Sequence, residues 1–300
     1  MRSELYAFGK RLGEDISEEN LRIVFTDPSY IEAENKRREE LGRKDAEVMV
    51  KSNQELASIG QSTMSNFIPK YLRYFLPRLP EDGIIALRKY LLDDSNLAEM
   101  SKFLGTYDII LCEVRHERSI RWDWGNIFSQ PKFPSESVLA QTLRAVVGAI
   151  RNEGGEKRSE RFIIDFILSY LQDKHIFELW EIANAREALS RILSNETLPE
   201  YESRLLRSTA MHTIESCFQV GLFVNKQLLG SGTGESVEIA EEMAAYDCLA
   251  RMFRIRPNDF VFKFGPKSYG FNYEAHSRSH QPLHSWSSQT LTSNAPQLDG

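Results

Sequence analysis

The stretch from Ser52 to Met64, SNQELASIGQSTM, constrains the fold of this chain more than any other. Leu56, Ile59 and Thr63 recur at the three- and four-residue spacing of one helix face, which predicts an amphipathic helix. Gly60 lies in the middle of that helix, where a glycine costs roughly 1 kcal/mol relative to alanine. That cost is unfavourable unless close packing against a neighbouring element needs a glycine there.

Composition places the chain among ordinary globular proteins. It has 300 residues, of which 41% are hydrophobic and 27% charged, and no apolar run approaches the roughly 18 residues of a membrane helix. Its three cysteines, Cys112, Cys217 and Cys248, form no CxxC pair, which argues against a disulfide framework and a zinc ribbon. The net charge of −6 disfavours a general nucleic-acid coat, so any RNA contact is expected to be local. No targeting segment is visible at the N-terminus.

The apolar pattern changes near Pro199. Before it the segments read as helices, including a second strong one, SVLAQTLRAVVGAI, which Ser135 or Ser137 opens. After it, FQVGLFVNKQLL alternates around the turn residue Asn225 and predicts a β-hairpin. A Gly-rich stretch, GSGTGES, then reads as a turn before another helix.

We therefore expect an α+β protein with an all-α helical domain and a small α-β-β-β-α domain. The first helix of the small domain is expected at Glu200 to Arg207. The predicted boundaries are residues 1–195 for the helical domain, 199–256 for the small domain, and 257–300 for an extended or disordered C-terminal tail.

Two helices resemble the signature helices of the ribonuclease III family. The first keeps the frame of that family's motif at Asn53, Leu56, Ile59 and Gly60, and Ala140 to Ile150 matches the second. The resemblance implies that the metal-binding acids of the family would stand at five positions, which here carry Gln54, Ala57, Gln61, Gln141 and Arg144. Neutral amides are weak magnesium ligands and an arginine opposes a metal ion. The sequence therefore assigns no catalytic residue, no metal ligand and no cofactor.

Residues 199–256 resemble a double-stranded RNA-binding domain through Gly232, Gly234, Ser236 and the alanine-rich helix that follows. The paired lysines with which that family contacts phosphates are Val237 and Glu238 here, and the segment holds six basic and eight acidic residues. Protein contact or a restricted RNA contact is therefore expected above general duplex binding. The candidate RNA-binding residues are Arg204, Arg207, His212, Lys226, Gly232 and Ser236.

The order of these motifs resembles that of the ribonuclease III-like proteins of the mitochondrial ribosome's large subunit. The resemblance implies a structural role in the mitochondrial matrix, with ribosomal RNA and neighbouring large-subunit ribosomal proteins as partners and without a membrane span. It also implies a dimer-like contact through the helical domain, by which a partner could supply an intact nuclease site. The alternatives are a ribonuclease III-type endonuclease, which needs carboxylates that these positions lack, and a duplex-RNA-binding adaptor in mitochondrial RNA processing.

Overall fold

The computed structural model describes residues 2–14, 16–41, 51–113, 134–209 and 216–288. The described residues form two compact units. The first unit holds the described residues up to 68, residues 89–171 and residues 264–270, and the second unit holds the remaining described residues.

Helices dominate the chain up to residue 171. They are α1 (Arg2–Leu12), α2 (Glu18–Val24), α3 (Pro28–Glu40), α4 (Gln54–Phe75), α5 (Glu81–Leu92), α6 (Asp94–Phe103), α7 (Glu136–Gly154) and α8 (Glu156–Phe162). Helix α8 continues as a π turn (Ile163–Ile167) and a 3₁₀ turn (Leu168–Leu171).

Helix α7 is central to the first unit and follows its sequence signals closely. Ser135 is the N-cap, and its Oγ accepts a hydrogen bond from the Val138 N–H at 3.4 Å. One face of the helix is fully buried and carries the predicted apolar stripe, including Leu143 and Val147. Gly155, with φ of 77°, ends the helix, because that conformation favours glycine. Helices α2, α6 and α8 all pack against α7.

The second unit contains the only sheet found among the described residues, together with its covering helices. The elements are α9 (Ile176–Leu179), α10 (Ala185–Asn195), β1 (Glu202–Thr209), β2 (Cys217–Val224), β3 (Gln227–Gly234) and α11 (Val237–Phe253). The strands are antiparallel in the order β1-β2-β3, α11 packs on β2 and β3, and α10 packs on α11. The hairpin turn falls at Asn225 and Lys226, both with positive φ. The α+β fold with an α-β-β-β-α part is therefore confirmed.

The helix expected at Glu200 to Arg207 is wrong, because that segment forms β1. The adjacent Leu205 and Leu206 suit a helix locally, but pairing with β2 decides the outcome, and a register shift at this point accommodates both leucines. The first helix of the α-β-β-β-α order is instead α10. The boundary between the two predicted domains stays a prediction.

The Gly-rich turn is also wrong in position, since Gly230 to Gly234 belong to β3. A Cβ on Gly232 would lie 2.2 Å from the backbone nitrogen of Ala244 in α11. Glycine is therefore required by the close approach of the helix to the strand rather than by a turn.

The C-terminal segment contains 3₁₀ turns at Gly265–Lys267, Tyr273–His276 and Leu283–Ser285. Within the second unit, Trp286 is 2% exposed, its Nε1 donates to the Arg78 carbonyl oxygen at 2.9 Å, and its ring lies 5.0 Å from that of Phe253. The extended or disordered tail expected over residues 257–300 stays a prediction. None of the helices within the described ranges has the length and apolar character needed to cross a bilayer.

Candidate functional site

Helices α4 and α7 cross at two glycines. A Cβ on Gly60 would lie 1.8 Å from the carbonyl oxygen of Arg144, and a Cβ on Gly148 would lie 2.0 Å from that of Leu56. Both distances are far below van der Waals contact, so any larger residue would force the helices apart. Close packing therefore accounts for the glycine at position 60, and the crossing brings residues of the two signature-like helices together.

Arg144 lies at the centre of the polar network beside this crossing. Its Nε donates to the side-chain oxygen of Gln61 at 2.8 Å. Its Nη2 donates to the carbonyl oxygen of Leu92 at 3.2 Å and pairs with the carboxylate of Asp94 at 2.5 Å. The Arg144 side chain is only 17% exposed, which strengthens its attraction to Asp94 relative to a pair in open water.

A second, neutral branch of the site runs through Asn53. Asn53 is fully buried, its Nδ2 donates to the Val24 carbonyl oxygen at 3.1 Å, and its Oδ1 accepts from Nε2 of Gln141 at 2.8 Å. Gln141 therefore ties α7 to the start of α4 by an amide–amide hydrogen bond. The remaining two of the five positions add little to this polar network, since Gln54 is exposed and Ala57 has only a buried methyl side chain.

The donor set at these five positions does not fit a divalent metal ion. Magnesium binds hard oxygen ligands, chiefly carboxylates and water. The five positions offer amides, a methyl group and a guanidinium, and the nearby Asp94 is already paired with Arg144. Among the residues that the structure describes, no group of three or more His, Cys, Asp or Glu side chains could hold a metal ion.

Two of the candidate RNA-binding cations lie on β1 and a third on the hairpin turn. Arg204 and Arg207 pair in register with Gly221 and Gln219 of β2, and Lys226 lies in the β2–β3 turn. Because Val220 and Leu222 are buried, the alternation of the strand places Gly221 on the face away from the core. The two arginines therefore share the open face of the sheet.

The two arginines differ in their contacts. Arg204 pairs with Glu202 at 2.6 Å and lies 5.0 Å from the ring centroid of Phe223. Arg207 is exposed and has no hydrogen bond or ion pair from its side chain within the described ranges. Arg207 is thus the more available of the two for a phosphate.

Of the other three candidates, Ser236 and Gly232 are not part of that face, and the third is not described. Ser236 is the N-cap of α11, where its Oγ accepts from the Ile239 N–H at 3.2 Å. Gly232 is buried beneath α11, so packing accounts for it without an RNA contact. His212 lies outside the described residues.

Sequence reasoning missed two features of these regions. Asp94 lies 50 residues from its partner Arg144, and no local pattern connects them. The solvent side of α11 carries Ile239 and Met243, which are 50% and 49% exposed. Their four-residue spacing was readable as one helix face, but which face is covered depends on the sheet.

Comparison with known proteins gives two family models. One, described as the endonuclease domain of large ribosomal subunit protein mL44, matches residues 1–150, and one described as the MRPL44 dsRNA-binding domain matches residues 180–287. Large ribosomal subunit protein mL44 of Caenorhabditis elegans is 29% identical over 280 residues, which is 92% of this chain and 65% of that protein.

Bacterial ribonucleases also match. Ribonuclease 3 of Streptococcus mutans is 23% identical over 245 residues, covering 82% of this chain and 97% of that protein. The nuclease domain of ribonuclease III from Campylobacter jejuni is a structural match with a TM-score of 0.39 and 20% identity, covering 58% of this chain and 97% of that one. The chain is thus similar in sequence both to a ribosomal protein and to bacterial ribonucleases.

Proposed function

Because the chain belongs to the family of large ribosomal subunit protein mL44, we propose that it is a structural component of the mitochondrial ribosome's large subunit and supports mitochondrial translation. In this role the nuclease-like helical unit acts as a scaffold without cutting RNA. The partners are ribosomal RNA and neighbouring ribosomal proteins. The place of action is the mitochondrial matrix.

The observation that carries this proposal is the ion pair between Arg144 and Asp94. A ribonuclease III site must gather carboxylates around divalent ions, which then activate water. Here a guanidinium lies between Gln61 and Asp94 and supplies a fixed positive charge in that region. A cation of this kind repels magnesium and neutralises the nearest acid, so it favours a scaffold over a nuclease.

We assign the RNA contact to the small domain and limit it to a few of its basic side chains. Arg207 is the best-placed cation, since it is exposed and its side chain has no partner within the described ranges. Arg204 lies on the same face of β1, towards the β2–β3 turn that holds Lys226. Ser236 caps the start of α11, where Glu238 replaces a lysine of the related RNA-binding domains. The dimer-like contact of the helical domain remains part of the proposal as a route to protein neighbours.

Sedimentation of mitochondrial lysate tests the scaffold. We expect the protein to travel with the large subunit, and purified protein to leave duplex RNA intact with and without magnesium. The proposal would be contradicted if the protein stays in the light fractions of the lysate and the purified protein cleaves duplex RNA. Acids outside the five positions would then have to bind the metal.

The RNA contact has its own test. The affinity of the full chain for duplex RNA is measured over a range of salt concentrations for Arg207→Ala and for Arg191→Ala. Arg191 is a suitable control because it is an exposed arginine on α10 that pairs with Glu187. Loss of one phosphate contact lowers the slope of log affinity against log salt by about one. We expect that loss for Arg207→Ala only, and equal slopes for the two variants would exclude this contact.

A further inference from the structure

The outer face of α11 is unusual for a helix that borders solvent. Ile239 and Met243 are half exposed, and Tyr246 and Ala250 continue the same stripe at the spacing of one helix face. The buried face on the opposite side is formed by alanines, Cys248 and Leu249. A solvated helix face is normally polar, so this apolar stripe indicates a surface that is covered by a partner.

The stripe leads into a groove of 340 Å³ within the second unit. One wall is α11 with Met243 and Tyr246, and the other is formed by α9 with Ile176 and Phe177. The Phe177 and Tyr246 rings meet edge to face at 5.2 Å, and the Tyr246 hydroxyl donates to the Ile182 carbonyl oxygen at 2.7 Å. These contacts connect the two walls of the groove.

The dimensions suit a short helix. The stripe from Ile239 to Ala250 covers twelve residues, whose eleven helical rises correspond to about 16 Å along the α11 axis, or three turns. Apolar grooves of this kind accept the apolar face of an amphipathic helix through anchors at i, i+3 or i+4 and i+7.

The charges around the groove determine which net charge a bound partner segment would carry. Four exposed acids lie on the flanking segments and have no hydrogen bond or ion pair from their side chains within the described part of the chain: Glu178, Glu181, Glu235 and Glu238. Two of the nearby arginines are neutralised, because Arg251 pairs with Asp247 and Arg256 with Asp259, which leaves the exposed Arg254 as one positive charge against the four acids. Burial, and then the carboxylates of Glu242 and Glu181, raise the pKa of Tyr246, which is consistent with negative potential along this wall. Phosphates would be repelled here, whereas lysines and arginines would be attracted.

We propose that the groove between α9 and α11, with the Ile239–Met243 stripe, binds a basic amphipathic helix of a neighbouring protein. The inference rests on the proposed function in one respect, since it expects that neighbour in the large ribosomal subunit. It goes beyond that function by naming the surface and the chemistry of the partner. The sheet face with Arg204 and Arg207 remains the side for RNA, so the two faces of the small domain have opposite partners.

Site-specific photocrosslinking tests the partner's identity. A benzophenone amino acid replaces Met243 in the full chain, mitochondria are irradiated, and large-subunit fractions are analysed by mass spectrometry. The expected product is a crosslink to a protein segment with a net positive charge and apolar residues at helical spacing. A crosslink to RNA, to an acidic segment, or no crosslink in those fractions would overturn the inference.

Matched variants test the surface itself. Met243→Glu puts a charge on the stripe, and Ile85→Glu puts one on α5, away from the stripe and the sheet face, at almost the same exposure, 49% against 47%. Met243→Leu preserves the apolar contact and shows whether the site tolerates substitution. We expect crosslinking from a benzophenone at position 239 to fall about tenfold in Met243→Glu, as for loss of an interface anchor, and to persist in the other two. Equal crosslinking in all three would exclude the groove.

The two proposals fail differently. If the wild-type protein is absent from the large subunit, the ribosomal function is wrong. If it is present and crosslinks from position 243 reach no basic helix, only the groove assignment is wrong. Glu238→Lys adds an independent measurement, because reversing one rim charge should weaken crosslinking more than Glu238→Gln does, and the same yield for both would remove the electrostatic argument.

Discussion

Substitution of Gly60 by alanine tests the helix crossing on which the nuclease-like unit is built. The added Cβ would lie 1.8 Å from the Arg144 carbonyl oxygen and 2.8 Å from its carbonyl carbon. Both atoms are backbone of the buried helix α7, so no side-chain rotation can relieve the clash. A Cβ on Gly148 would likewise lie 2.0 Å from the Leu56 carbonyl oxygen, so the helices have no slack in this direction.

The expected loss of stability follows from that geometry. An ordinary C···O contact needs about 3.3 Å, so α4 and α7 must separate by roughly 1.5 Å. Overpacking of a well-packed interior costs typically about 1–3 kcal/mol and occasionally more, and this clash belongs at the upper end. Alanine returns about 1 kcal/mol through its helix propensity. We therefore expect Gly60→Ala to lower the free energy of unfolding by about 2 kcal/mol.

Urea denaturation followed by far-ultraviolet circular dichroism measures this loss. Gly9→Ala is the matched control, because Gly9 also lies inside a helix but its added Cβ would meet only Leu21 Cδ1 at 3.4 Å, an ordinary contact. The control should be unchanged or more stable by up to about 1 kcal/mol. If Gly60→Ala unfolds at the same urea concentration as the wild type or above it, the glycine crossing is refuted.

Three further predictions address the site, the C-terminal segment and the hairpin. Arg144→Ala removes the hydrogen bonds to Gln61 and Leu92 and a half-exposed ion pair, so the free energy of unfolding by urea should fall by about 1–2 kcal/mol; no change would mean that the network is not formed. Burial lowers the pKa of His280, whose Nδ1 lies 2.8 Å from a backbone carbonyl oxygen. Its neutral form is therefore favoured in the folded state, so its contribution to stability is present above the unfolded pKa of about 6.5 and is lost as the pH falls towards the folded pKa. His280→Asn should flatten the fall in unfolding free energy between pH 7 and pH 5, and an unchanged slope would rule out this histidine as the cause. Lys226 has φ of 65°, so Lys226→Gly should raise the unfolding free energy by about 1 kcal/mol, and a loss of stability would contradict the strained turn.

Local signals were sufficient to predict most of the helices and the hairpin. The Ser135 and Ser236 caps, the stop at Gly155 and the turn at Asn225 depend on interactions within a few residues of the chain. The same holds for the two signature-like helices, whose apolar spacing is regular. Such elements are readable because the sequence around them contains the atoms that stabilise them.

Non-local pairing explains what could not be predicted. Strand β1 reads as a helix by itself and becomes a strand only through its ladder with β2. The glycines of β3 look like turn residues until α11 is packed over them. A Cβ at Gly232 would then lie 2.2 Å from the backbone of α11, so this position needs a glycine. At the candidate site the five altered positions were readable, but the partner of Arg144 was not, because Asp94 comes from a helix 50 residues earlier.

The altered positions form a site that is satisfied without any ligand. A cluster of carboxylates repels itself and depends on cations for stability, whereas Arg144 provides a positive charge that is covalently part of the chain. Gln141 and Asn53 complete each other's hydrogen bonding, and no buried side-chain nitrogen or oxygen in the described ranges lacks a partner. Because an unsatisfied buried polar group is costly, this mutual hydrogen bonding stabilises the site without a bound ion. The glycine crossing between α4 and α7 depends on shape alone, so its packing is independent of the polar side chains beside it.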